Sequence, residues 1–125
     1  MLVRAKTLAQ KISQKSDHPA FKMGACVYYK NHILSAGFNS SKTHPLVKHY
    51  SPYKTLHAEM HAIIRAGLNN VKGTSIVVYR SLKSGQMAMA RPCPICLKIM
   101  KQYGIMSVTY TTENGWKTEF VNEME

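Results

Sequence analysis

The stretch from Thr74 to Thr111 constrains the fold more than any other part of the chain. Thr74 to Tyr79 reads TSIVVY, an apolar, β-branched run that predicts a buried strand. Pro92 and Pro94 introduce a helix over Cys93 to Tyr103, and Gly104 ends it. Ile105 to Thr111 is a second strand. A strand, a helix and a strand in that order make a parallel pair joined by a right-handed crossover.

The remaining elements build around that unit. Leu2, Ala5, Leu8, Ala9 and Ile12 fall on one face of a first helix. Ser16-Asp17-His18-Pro19 breaks it. Met23 to Lys30 reads as a strand, Asn31-His32 as a tight turn and Ile33 to Phe38 as the hairpin partner. Asn39 to Lys54 has no clear period and reads as a loop. Thr55 is the expected cap of a second helix running from about Leu56 to Arg65, stopped near Gly67. A flexible segment is expected around Ser84-Gly85. Asn114-Gly115 signals a turn into a last strand, Trp116 to Val121. The order is α-β-β-α-β-α-β-β, with a mixed five-stranded sheet between helices. No linker, repeat or low-complexity tract divides the 125 residues, so one domain over 1–125 is expected.

Charge and cysteine content narrow the chemistry. The chain carries 17 Lys+Arg against 6 Asp+Glu, a formal net charge of +11. Four of the acids, Glu113, Glu119, Glu123 and Glu125, lie near the C-terminus, and Glu59 is the only one between Asp17 and Glu113. The body of the protein is therefore a positive field suited to phosphate-bearing partners. There is no apolar run of membrane-spanning length and no secretory h-region. Three cysteines without secretory context fit a reducing compartment, hence a cytoplasmic location, and a metal or catalytic role for some of them.

Two short motifs carry that role: His57-Ala58-Glu59 and Pro92-Cys93-Pro94-Ile95-Cys96. Cys93 and Cys96 are three apart at a helix start, so they share a face, and the helix N-terminus favours their thiolates. His57 begins the other helix and supplies a nitrogen. One His and two Cys give zinc three ligands and leave a tetrahedral position open to water, as in catalytic sites. Zinc lowers the pKa of such a water far below that of bulk water, to about 7. Glu59 is then free to move protons between water, ring nitrogen and departing amine.

H-x-E paired with P-C-x-x-C is the signature of zinc nucleobase deaminases. Through HAEMHAI (His57 to Ile63) and RPCPIC (Arg91 to Cys96) the chain resembles the cytidine and deoxycytidylate deaminase superfamily. The resemblance implies a three-layer α-β-α sandwich, with His57, Cys93 and Cys96 as zinc ligands and Glu59 as proton shuttle. It also implies a homo-oligomer. Asn39 stands where family members often hold the sugar, though an ordinary loop role stays open. Ala58 and Arg91 join it as candidate substrate contacts. The Asn-Gly turn predicts an antiparallel last strand, similar to that of free cytidine deaminases. The expected substrate is therefore a pyrimidine nucleoside or nucleotide: cytidine, deoxycytidine or dCMP.

Other readings stay open at this stage. Lys42, His44, Lys48, His49, Tyr50, Tyr53 and Lys54 interleave cations with rings, as a polynucleotide track does, so a cytosine or adenine deaminase acting on nucleic acid is the alternative. His57 and His61 are spaced like a helical zinc-protease pair, but the Glu stands one place too late, which makes His61 a packing or supporting residue. Cys26 as a fourth ligand would close the site into a structural zinc. Its apolar strand context argues for a small buried hydrophobe instead.

Overall fold

A computed structural model describes residues 2–18, 20–40 and 57–125. Helix α1 (Leu2–Ser13) leads into β1 (Phe21–Tyr29) and β2 (His32–Phe38). Helix α2 (Ala58–Ala66) precedes β3 (Ser75–Leu82), α3 (Pro94–Gln102) precedes β4 (Ser107–Thr112), and β5 (Gly115–Phe120) closes the sheet. Short 3-10 turns follow α2 and β5. The sheet order is β2-β1-β3-β4-β5. Only β3 and β4 run parallel among these pairs; β5 returns antiparallel, as the turn signal requires.

Strand alternation divides the core into two layers. Ala25 and Val27, Ile76 and Val78, and Val108 and Tyr110 face Ala62 and Ile63 of α2 and Leu97 and Met100 of α3. Cys26, Val77 and Tyr79 point the other way, onto Ala5 and Ala9 of α1. Trp116 extends this second layer, with Lys6 Nζ 5.1 Å from its ring centre. The result is helix, sheet, helix. Among the described residues no helix is long and apolar enough to cross a membrane.

Two glycines let the helices sit directly on the strands. A Cβ on Gly24 would stand 1.9 Å from the carbonyl oxygen of Ala9, and one on Gly37 would stand 2.4 Å from the amide nitrogen of Ala62. Both obstacles are backbone, so rotamer changes cannot relieve them. Gly24→Ala is expected to destabilise the fold by about 3 kcal/mol or more, at or above the usual cost of overpacking. Urea unfolding midpoints would measure it, and an unchanged midpoint would refute the close contact.

Several boundaries differ from the sequence reading. Both hairpin turns lie one residue earlier. Tyr29 pairs with His32 and Thr112 with Gly115, so the turn residues are Lys30-Asn31 and Glu113-Asn114. Cross-strand register, not the turn dipeptide, fixes the position. Helix α2 starts at Ala58 with His57 in the cap position; Thr55 and Leu56 lie outside the described residues, as does most of the basic, tyrosine-rich stretch. The segment around Ser84-Gly85, expected to be flexible, forms a hydrogen-bonded turn. Gly85 N–H donates to Leu82 O (2.8 Å), Leu82 N–H donates to Gln86 O (2.9 Å), and Ser81 bridges to Met87. Gly85 has φ +91°, a conformation glycine adopts without penalty.

Candidate metal centre

His57, Cys93 and Cys96 meet where the starts of α2 and α3 converge beside the parallel pair. Cys93 is the N-cap of α3, with an extended backbone and Pro94 in the first helical position. Its sulfur accepts the Cys96 N–H at 3.4 Å, so the cap itself holds the two cysteines in register. His57 caps α2 through its backbone, with no cap hydrogen bond from its side chain. Nδ1 lies 3.5 Å from Cys96 Sγ and 3.8 Å from Cys93 Sγ. All three donor atoms lie within 4.8 Å of one another.

Zinc–nitrogen and zinc–sulfur bonds of about 2.0–2.3 Å place tetrahedral ligands about 3.4–3.8 Å apart. The two measured separations match. The charges agree with the geometry. The thiol of Cys96, its backbone N–H and the His57 ring all stabilise a Cys93 thiolate, whose pKa falls to about 4 against the opposing effect of burial. That thiolate and burial push the Cys96 thiol up. A divalent cation removes this conflict, because a coordinated thiol is deprotonated outright. The donor set thus fits Zn2+.

Glu59 completes the cluster. It sits in the first turn of α2, almost wholly buried, and one carboxylate oxygen, Oε1, has no hydrogen-bond partner. Burial raises its pKa, with His57 pulling the other way. A buried orphan oxygen costs stability and calls for a reason. Glu59, His57 and Cys93 line a cavity of about 150 Å³.

The sequence-predicted residues separate at this point. Asn39 and Arg91 line the same cavity. The Asn39 side chain accepts the Met23 N–H at 2.8 Å and donates to Phe21 O at 3.3 Å, clamping the end of β2 to β1. Arg91 pairs with Glu119 at 3.3 Å and donates to Glu125 O, tying the C-terminus down. Ala58 is buried in the main core and is not among the cavity-lining residues. Cys26 lies in the α1 layer, its thiol pushed up to about 11 by burial, and it is not part of the metal group. His61 accepts the Phe38 N–H through Nδ1 and packs edge-on against that ring.

Arg80, His18, Phe21 and Met89 also line the cavity, and no motif announced them. Arg80 stacks over Phe21 at 4.3 Å and donates to Met89 O at 3.1 Å. They meet because β1 and β3 pair so that Met23 faces Arg80, a long-range register that local pattern does not encode.

Comparison with known proteins agrees with this geometry. The family profile for the cytidine and deoxycytidylate deaminase zinc-binding region matches residues 2–112. No curated protein sequence gives a match. The chain is similar in structure to a dCMP deaminase from the cyanophage S-TIM5, with a TM-score of 0.63 and 22% identity over 88% of this chain and 81% of that one. A cytidine deaminase from Burkholderia pseudomallei gives 0.66 and 15% over 98% and 94%. One from Mycobacterium leprae gives 0.62 and 19% over 94% and 92%. At these identities the likeness is one of fold.

Proposed function

The chain belongs to the cytidine and deoxycytidylate deaminase family, and from that premise we propose that it hydrolyses the exocyclic amine of cytosine in a free nucleoside or nucleotide. The observation that carries the reading is the unpartnered oxygen of buried Glu59 on a cavity wall shared with His57 and Cys93. His57, Cys93 and Cys96 hold the zinc. When bound, zinc supplies a Lewis acid that makes water nucleophilic at neutral pH.

The protein's own groups do the rest. Glu59 takes a proton from the attacking water and delivers it to ring N3. The C4–O bond forms, Glu59 helps protonate the amine, the C4–N bond breaks and ammonia leaves. Burial eases this shuttle, because it brings the protonated form of Glu59 closer in energy to the carboxylate. Ala58 contributes through its backbone, since its side chain is in the core and the first N–H groups of a helix lack intrahelical acceptors. Asn39 and Arg91 border the substrate.

Zinc-loaded protein incubated with cytidine, deoxycytidine, CMP, dCMP and adenosine tests the reading by mass spectrometry. Conversion of a cytosine compound to its uracil counterpart is expected. Conversion of adenosine alone would overturn the base assignment.

A further inference from the structure

The cavity beside Glu59 has a neighbour. At the same end of the sheet, on the α1 face, lies a groove of about 350 Å³. His18 and Phe21 line both, so the two spaces lie on either side of these residues. The groove takes Gln10 and Gln14 from α1, Lys22 from β1, Ser81 from β3 and Lys83 just beyond it. Lys22 pairs with Ser81 across the β1–β3 ladder, which brings it close to Lys83 at the end of β3.

The lining has a consistent chemistry. No acidic side chain occurs among its described residues. Among the described residues the ion pair present is Arg91–Glu119, so neither lysine is neutralised by a carboxylate. His18 Nδ1 accepts the N–H groups of Ala20 and Phe21 at 3.2 and 3.4 Å. The ring proton therefore sits on Nε2, a donor on a residue that borders both spaces. Two ammonium groups, two side-chain amides, a hydroxyl and an imidazole N–H offer what a phosphate binds. The net charge of +11 favours the same class of ligand.

We propose that this groove is a phosphate subsite continuing the base cavity, so that the preferred substrate carries a phosphate ester on its sugar. This rests on the reading of the first cavity as the base site. The phosphate belongs either to a mononucleotide or to the link between residues of a single strand; both present the same group to Lys22, Lys83 and His18.

Binding to Glu59→Gln protein, in which turnover is disabled, tests it. The ligands are deoxycytidine, dCMP and a short single-stranded oligonucleotide with one cytosine, measured at several salt concentrations. The phosphorylated ligands are expected to bind about 10-fold tighter than deoxycytidine at low salt, the scale of one charge-assisted contact. Lys22→Ala combined with Lys83→Ala is expected to remove most of that advantage and to flatten its salt dependence. A gain for dCMP identifies a mononucleotide phosphate; a gain for the oligonucleotide alone identifies the strand linkage. No phosphate advantage, or one that survives the double substitution, overturns the subsite. Turnover by the unmodified enzyme separates the two claims. Deoxycytidine deaminated without a phosphate advantage leaves the function standing and this inference refuted. Lysine-dependent phosphate binding without any deamination does the reverse.

Discussion

Glu59→Gln lowers turnover by about 10²–10⁴-fold, the usual contribution of a positioned acid–base group, and leaves zinc content and the unfolding midpoint near those of the parent. Gln keeps the shape and polarity of the side chain but cannot exchange a proton. The position makes the test clean. Glu59 has no structural hydrogen bond from Oε1 to lose, it is almost wholly buried, and it is the only acidic side chain among the described cavity-lining residues. A structural role for this carboxyl predicts the opposite: a shifted midpoint with turnover largely kept. Metal content and rate measured on one preparation distinguish the two.

Loss of either cysteine ligand has an effect as large through a different route. Cys93→Ala and Cys96→Ala are each expected to reduce bound zinc from about one per chain to near none after dialysis, and to abolish deamination, because two remaining donors no longer make a closed three-ligand grip. Cys93→Ala also removes the acceptor of the Cys96 N–H at the start of α3, a further cost of about 1 kcal/mol for a lost helix cap. Melting temperature should fall in both, since a cofactor bound only by the folded chain stabilises it by mass action. Cys26→Ala is the control. Cys26 sits in the α1 layer away from the metal group, so zinc and activity persist. Zinc lost on changing Cys26 would mean a closed, four-ligand site and would contradict a catalytic centre.

The parts legible in the sequence are those written in local pattern. The β-branched run at Thr74–Tyr79, the proline-led start of α3 and the x-x spacing of Cys93 and Cys96 depend on neighbours within a few residues. Their structural counterparts stand where that pattern put them. The extension of β3 to Leu82 and the hydrogen-bonded turn after it were not legible. Arg80-Ser81-Leu82 is not an apolar run, and it becomes strand because Phe21 to Met23 lie alongside it. The same pairing delivers Arg80, Phe21 and His18 to the cavity. His18 follows Asp17 and precedes a proline, a context that reads only as a helix stop. Asn39 was legible as a polar residue just after the second strand, but its clamp across to Met23 and Phe21 depends on contacts sixteen and eighteen residues away. Arg91 was likewise visible beside Pro92, while its partner Glu119 comes from the last strand.

Zinc-loaded protein incubated in ¹⁸O-labelled water with deoxycytidine and dCMP, with the products read by mass spectrometry, tests the role of the Glu59 centre. A uracil nucleoside or nucleotide carrying one labelled oxygen is expected, with ammonia released in equal amount and both falling by about 10²–10⁴-fold in Glu59→Gln. Unchanged cytosine with zinc fully bound, or a rate indifferent to Glu59, would contradict it.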